Sequence, residues 1–364
     1  MATRRKTTST RTSASRTAKP IRTGVVGLGM GRAHLNQYRT IEGATIAAIC
    51  DVDEKRLAAA AKEYDLPDST LFTDSDAMFA SGLLDVVSIA TPNFLHHPLT
   101  LAALDAGLHV LCEKPLALNA RQAQEMVSKA KRKRRKLGLH FNHRMTPAAR
   151  ALAAYCHAGD LGRMYHARIS WHRRRGIPGG PGSWFYDSKR SGGGCLIDLG
   201  VHALDTVLYC LGYPKVISVS GQTQNMFGKR DKPDSTMDVE DFVTAYIRLA
   251  EGATIALEVS WASHHEHPEQ VVMAIYGTEG GAVRRTENYQ DAPIRVYRRE
   301  HGNLVDTELR TLPAQTPSVQ QDFLDAVREG REPICSGEHG LMMMRIIDAV
   351  YSSSRTGKEV RVRS

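Results

Sequence analysis

A chain of 364 residues with 42% hydrophobic content is long enough for two ordinary cores and has the composition of a globular protein. No run of about eighteen apolar residues occurs, which excludes a membrane-spanning helix. The net charge of +9 is concentrated: seven basic residues and no acidic one lie in Met1–Arg22, and six more lie in Lys131–Lys136, so the remainder is mildly acidic and no specific nucleic-acid partner is expected.

Met1–Lys19, rich in Ser, Thr, Arg and Ala, has the composition of a disordered basic tail. Its Arg4-Arg5 pair lacks the apolar stretch an export signal needs, and a cytoplasmic protein is expected. None of the six cysteines forms a CxxC pair, which fits reduced thiols. Lys131–Lys136 (KRKRRK) is expected to be a solvated helix end, its cations near the negative end of the dipole.

The first ordered stretch, Ile21–Gly27, is β-rich and runs into Gly27-Leu28-Gly29-Met30-Gly31, followed by helical Arg32–Arg39. Glycine at such a turn permits positive φ and lets the backbone approach a pyrophosphate, which the helix N-terminus attracts. The GxGxxG pattern is imperfect, because Arg32 stands where the third small residue belongs; either Gly31 takes that role or the loop is tighter. Ala44–Cys50 is a second buried strand, ending at Asp51, 24 positions after Gly27. A carboxylate there accepts from both ribose hydroxyls and repels a 2′-phosphate, so NAD is expected before NADP, although Lys55 and Arg56 keep NADP open. Asp53 is a good cap for a helix over Glu54–Tyr64.

Leu84–Ala90 is a third strand, broken by Thr91-Pro92-Asn93, and helical spacing follows over Pro98–Ala106. A fourth strand, Leu108–Leu111, runs into Cys112-Glu113-Lys114-Pro115. Asn119 caps a helix carrying Ala123, Met126, Val127 and Ala130, and Leu137–Phe141 is a fifth strand. Alternating strands and helices imply a doubly wound parallel sheet with ligands beyond the carboxyl ends of its strands, where Thr91–Asn93, Glu113–Pro115 and Asn142–Arg144 all fall. Beyond Asn142 the pattern changes. A helix over Thr146–His157 precedes strands at Met164–Trp171, Val216–Gln222, Asp241–Leu249, Thr254–Ser260 and Val271–Tyr276, several separated by turns alone, which predicts an open, mostly antiparallel sheet. Helices over Ser318–Glu329 and Glu338–Ser354 close the chain. The expected division is a tail at 1–19, a dinucleotide-binding domain at 20–141 and a substrate-binding α/β domain at 142–364.

Within the second half, Gly192-Gly193-Gly194 leads into a helix on which Asp198 and His202 are four apart and share one face. A carboxylate beside an imidazole holds one tautomer and raises its basicity; two unrelated surface residues are the bland reading. Gly200 within the helix costs about 1 kcal/mol and often marks a close approach. His264-His265-Glu266-His267 carries no expected metal, since adjacent residues on a strand point to opposite faces.

With these residues in place, the chain resembles the glucose–fructose oxidoreductase / inositol dehydrogenase family, Gfo/Idh/MocA, from about Ile21 to Val362. The carriers are Gly27–Gly31, Asp51, Thr91-Pro92-Asn93 with His96, Glu113-Lys114-Pro115, and the glycine-rich pattern from Gly192 to His202. The resemblance implies a Rossmann domain followed by an α/β domain whose open sheet mediates homodimers or homotetramers. It further implies hydride transfer between NAD(P) and a secondary hydroxyl or keto group of a sugar, sugar derivative or cyclitol, without a metal. By motif, Lys114 matches the essential lysine, Asp198 and His202 the acid–base pair, and Lys114-Pro115 is a candidate cis peptide. Cofactor contacts are expected from Gly27, Gly29, Met30, Gly31, Asp51, Thr91, Pro92, Asn93, His96, Glu113 and Lys114. Substrate contacts are expected from Asn142, Arg144, Trp184, Asp198 and His202, with Trp184 either stacking on a pyranose or serving the core. His172 with Arg173–Arg175 is either a solvated loop or a cationic rim for an acidic sugar. Two alternatives stand beside the dehydrogenase: an NAD-dependent glycoside-cleaving enzyme with transient C3 oxidation, and a non-catalytic NAD-binding regulator, against which the retained Lys114, Asp198 and His202 argue.

Overall fold

Six short strands form a parallel sheet in the computed structural model, which describes residues 19–180, 182–231, 237–312 and 316–363. The expected tail therefore lies, apart from Lys19, outside the described residues. The strands are β1 (Ile21–Val26), β2 (Ala44–Cys50), β3 (Leu71–Phe72), β4 (Val86–Ile89), β5 (His109–Cys112) and β6 (Leu137–Leu139), in the order 3-2-1-4-5-6. Between them run α1 (Gly31–Thr40), α2 (Glu54–Tyr64), α3 (Ser75–Ala80), α4 (Asn93–Asp105) and α5 (Ala120–Lys133). All four residues of β4 are buried, as a strand covered on both faces requires. Strand order reverses between β1 and β4, and the crevice at their carboxyl ends is where such a sheet takes a dinucleotide.

Local chemistry sets most helix ends. Asp53 accepts from the backbone N–H groups of Lys55 and Arg56, and Asn119 accepts from that of Gln122. The KRKRRK run is the end of α5 and the turn after it, with Lys133 paired to Asp105 at 3.1 Å and Lys136 to Glu332 at 2.6 Å. One start differs from the spacing: α4 begins at Asn93, and Pro98 lies inside it. Proline favours a first turn, but here the buried imidazole of His96 sits between the carbonyl oxygens of Thr91 and Pro115 and donates its single N–H to one of them.

The second half opens with α6 (Pro147–Ala158), β7 (Met164–Arg173) and α7 (Ser188–Ser191), then a π-helical turn at Leu196–Gly200 that runs into α8 (Val201–Cys210). There follow β8 (Val216–Gln224), α9 (Gly228–Asp231), β9 (Phe242–Leu249), β10 (Thr254–Ser260), β11 (Glu269–Gly277), β12 (Gly280–Glu287), β13 (Gln290–Asp291), β14 (Ile294–Glu300) and β15 (Asn303–Leu309). The chain closes with α10 (Val319–Glu329), α11 (Gly337–Thr356) and β16 (Val360–Arg361). The sheet runs 15-14-12-11-7-10-9-8-16 with β13 on β12, and its pairs are antiparallel except β10 with β7 among the described residues. In β9, Val243, Ala245 and Ile247 are buried while Thr244, Tyr246 and Arg248 are exposed, so one face of the sheet is packed and the other free. The extension through β12, β14 and β15 goes beyond the strands predicted, because its Arg- and Glu-rich residues carry little apolar alternation.

Candidate active site

The cleft begins where β1 ends. Gly27 has φ +90°, and a Cβ there would lie 2.6 Å from the Ala90 carbonyl oxygen. At Gly31 a Cβ would lie 2.6 Å from Val25 Cγ1, so Gly31 provides the close helix–strand packing that the fingerprint gives its third glycine. Gly27, Gly29, Met30, Asp51, Thr91 and Pro92 line a cavity of about 630 Å³, closed on its far side by Trp184 and Phe185. The carboxylate of Asp51 is fixed at that cavity by the backbone N–H of Leu28 at 2.6 Å and of Asp53 at 2.8 Å. Thr91 Oγ1 is buried with no hydrogen-bond partner among the described residues. An open glycine turn at a helix start, a fixed carboxylate and an unsatisfied hydroxyl together fit a dinucleotide.

Three expected cofactor residues have side-chain partners within the protein, while Asn93 and Glu113 also line the cavity that holds Lys114. Asn93 donates its amide to Ser191 O at 2.7 Å, joining the two halves. Both ring nitrogens of His96 face backbone carbonyls, of Pro115 at 2.7 Å and Thr91 at 2.9 Å. Glu113 directs its carboxylate to His34 and His140, 2.9 and 2.8 Å away. The sequence motif names the loop, and partners far along the chain decide where each side chain points.

Lys114 follows β5, and its peptide bond to Pro115 is cis. Lys114 Nζ donates to Asp198 Oδ1 at 2.8 Å and to Asp198 O at 3.1 Å, across the junction of the two halves. Asp198 Oδ2 accepts from Trp261 Nε1 at 2.9 Å. Burial pushes the Asp198 carboxyl up, but Lys114 and the two hydrogen bonds outweigh it and hold the group below its ordinary range. With both oxygens taken, Asp198 makes no pair with His202; the π-helical turn also breaks the i, i+4 register on which that pairing was predicted. A Cβ at Gly200 would lie 2.7 Å from Leu196 Cδ1 and 3.4 Å from Val259 Cγ2 of β10, which accounts for a small residue there without a ligand.

His202 is 8% exposed, and its Nδ1 is buried with no hydrogen-bond partner among the described residues. The ring of His143 lies 4.4 Å from its ring and that of Trp171 6.2 Å away. Burial, then His143 and Lys114, hold His202 well below its ordinary value, and burial first pushes His143 down to about 4. Both imidazoles are therefore free bases at neutral pH. They line a second cavity of about 210 Å³ with Trp171, Glu269, Arg284 and Asp291. Lys114 and Asp198 line a third, also about 210 Å³, with Met30, Thr91 and Trp184, which links them to the dinucleotide turn.

Trp184, expected to stack on a pyranose or to serve the core, lines the dinucleotide cavity and that of Lys114, stacked on Phe185 at 3.9 Å. Asn142 is exposed at the end of β6. Arg144 is a correction: it is 0% exposed, and its guanidinium is taken up by Asp205, Tyr213 and the carbonyl of Ile334, so it serves the core and not a substrate. The arginine rim is also self-contained: Arg173 bonds Glu269 at 3.1 Å, Arg174 bonds His265 O at 2.8 Å, and Arg175 pairs with Asp231 at 3.1 Å. His265 stacks on His172 at 5.4 Å.

Sequence reasoning missed Trp261, His143 and Glu240. Glu240 is buried and accepts from the backbone N–H of Gly194 at 2.9 Å and Leu196 at 3.0 Å, and from Tyr351 Oη at 3.0 Å. A Cβ at Gly194 would lie 1.8 Å from the main-chain carbonyl oxygen of Glu240, so the absence of a side chain there lets the Glu240 backbone pass close under the helix start. Only His143, at a strand end between two named candidates, carried a usable sequence signal.

The fold and cleft define the class: an oxidoreductase with an NAD-binding Rossmann fold, whose family model matches residues 21–141, followed by the C-terminal domain of the same family at 149–283. The chain belongs to the Gfo/Idh/MocA family. It is 30% identical to D-glucoside 3-dehydrogenase of Escherichia coli (strain K12), covering 95% of this chain and 99% of the relative. It is 28% identical to D-apiose dehydrogenase of Paraburkholderia graminis, covering 96% and 91%. Levoglucosan dehydrogenase in complex with NADH superposes with a TM-score of 0.84 at 25% identity, covering 95% of this chain and 100% of that one. No described helix is long and apolar enough to cross a membrane.

Proposed function

We propose that the protein is a sugar dehydrogenase that oxidises a secondary hydroxyl of a neutral sugar or glycoside with NAD. The observation that carries this reading is Lys114 Nζ, 2.8 Å from Asp198 in the cleft, together with the buried imidazole of His202, whose Nδ1 has no partner among the described residues. Gly27, Gly29, Met30, Gly31, Asp51, Thr91 and Pro92 would hold the dinucleotide, which supplies the acceptor for the hydride of the carbinol carbon. Lys114 hydrogen-bonds the substrate oxygen and stabilises charge developing there, while His202 takes the hydroxyl proton. Asp198 orients Lys114. A positioned proton acceptor contributes about 10²–10⁴-fold.

The cavity beside His202, with the indole of Trp171 and two carboxylates, Glu269 and Asp291, against the one guanidinium of Arg284, suits one neutral ring better than an anion. The paired arginines of the rim support the same choice, as do relatives named for a glucoside, apiose and levoglucosan. Asp51 favours NAD, and Arg56 at the same cavity makes NADP the comparison to run. Assembly into a homodimer or homotetramer through the free sheet face, where Tyr246 and Tyr276 are 41% and 40% exposed, belongs to the same proposal.

A panel of sugars, glycosides, sugar acids and cyclitols, each with NAD and with NADP, tests it by the absorbance of the reduced cofactor. Reduction of NAD by a neutral sugar is expected; a preference for sugar acids or for NADP would contradict the reading. Release of an aglycone without net reduced cofactor would redirect it to glycoside cleavage through transient C3 oxidation.

A further inference from the structure

Glu113 is a charge that the proposed chemistry leaves unused. It is 8% exposed, and its carboxylate accepts from His34 Nε2 at 2.9 Å, His140 Nδ1 at 2.8 Å and the backbone N–H of Lys114 at 3.1 Å. The three donors come from α1, the residue after β6 and the loop after β5. Each imidazole is anchored in turn. His34 Nδ1 lies 3.0 Å from Ser88 Oγ, itself 2.7 Å from Tyr38 Oη, and His140 Nε2 lies 3.2 Å from Gln320 Nε2 of α10. A connected network thus runs from Tyr38 to Gln320 and passes directly behind Lys114.

The nitrogen and oxygen atoms of His34, Glu113 and His140 lie within 4.8 Å of one another, close enough to hold a metal ion. Hydrogen bonds already satisfy the carboxylate, however, so the geometry is accounted for without one. Burial alone would drive Glu113 to its neutral form; the charge of His140 and the bonds from both imidazoles outweigh it and keep the group ionised. His140 lies three residues before His143, whose ring is 4.4 Å from that of His202. The Glu113 charge adjoins Lys114 directly, through the backbone N–H of that residue.

We propose that Glu113 is a positioning residue of the active site: through His34 and His140 it fixes the loop that carries Lys114 and keeps a buried negative charge behind that loop. This rests on the roles given to Lys114 and His202 under the proposed function. The groups that face His202 are Lys114 and Glu113 after β5, His140 and His143 after β6, and Glu269, Arg284 and Asp291 across the cavity, with Asp198 on its own element. Among the nearest of them, Glu113 favours the protonated imidazole while His143, Lys114 and His140 oppose it.

Two variants separate charge from reach in the full chain, assayed with the best neutral sugar of the panel. Glu113→Gln keeps the shape and removes the charge. It is expected to lower kcat by about 10²-fold, the scale of a ~1 Å misplacement, and to shift the acid limb of the kcat/KM profile to lower pH. Affinity for NADH, read by its fluorescence on binding, is expected to stay at the wild-type value. Glu113→Asp keeps the charge and shortens the reach, so kcat falls while the limb stays in place. Wild-type kcat and limb in Glu113→Gln overturn the proposal, and so does an equal limb shift in both variants. Should Glu113→Gln not fold, wild-type kcat in Glu113→Asp overturns it alone. Lys114→Ala is the control: full activity there removes the underlying reading, whereas activity lost in Lys114→Ala and kept in Glu113→Gln removes only the role of Glu113.

Discussion

The two walls of the cleft are built from different materials. The first half presents mostly backbone: a glycine turn at the start of α1 and main-chain N–H groups that hold Asp51 in place. The second half presents buried side chains whose partners are distant in sequence: Asp198 lies 63 positions from Trp261 and 84 from Lys114, which reaches it from the first half. A backbone wall accepts any ligand with a phosphate and two ribose hydroxyls, and its tolerance is set by shape. A wall of paired charges in low dielectric responds to the loss of a single group, because every unpaired partner is left buried.

That contrast ranks the expected effects. Lys114→Ala or His202→Ala should lower kcat/KM by about 10²–10⁴-fold in steady-state assays, with NADH binding unchanged in His202→Ala by fluorescence titration. An equal loss of cofactor affinity would show that the two walls are not separable. Wild-type activity should fall only as pH drops through the lowered value of His202: the imidazole is the free base above that point, so the acid limb should lie below the ordinary value of 6.5. Finding that limb above 6.5 would move the proton to another group.

Asp205→Ala should cost about 3–5 kcal/mol in a urea titration, because Arg144 would remain buried without its counter-charge. A loss of activity at unchanged stability would return Arg144 to the substrate. Asp51→Ala should cost about 1.5–3 kcal/mol of NAD affinity, the scale of hydrogen bonds to a charged group, and narrow the preference over NADP. Trp261→Phe is expected to have the smallest effect, about 1 kcal/mol in kcat/KM, since it removes one hydrogen bond to Asp198 and keeps the packing.

The same contrast explains what could be read before the fold was known. The β1–α1 turn, Asp51, and the caps at Asp53 and Asn119 are local chemistry, and the alternation of strands and helices was enough for the parallel sheet. Lys114 and Asp198 were recognisable as motif members, but Asp198 was assigned to His202 by α-helical spacing that a π-helical turn does not keep. His96, Glu113 and Arg144 sit in recognisable motifs, and Pro115, His140 and Asp205 claim their side chains through contacts no window of sequence contains. Glu240 was invisible for the same reason: its partners are backbone N–H groups 46 and 44 positions away.

The central claim is that Lys114, held by Asp198 beside His202, serves sugar oxidation by NAD. The most direct measurement is the rate of reduced-cofactor formation with the preferred neutral sugar, compared between the wild type and Lys114→Ala at saturating NAD. The account predicts steady formation by the wild type and a rate at least about 10²-fold lower in the variant. Equal rates in the two proteins would contradict it.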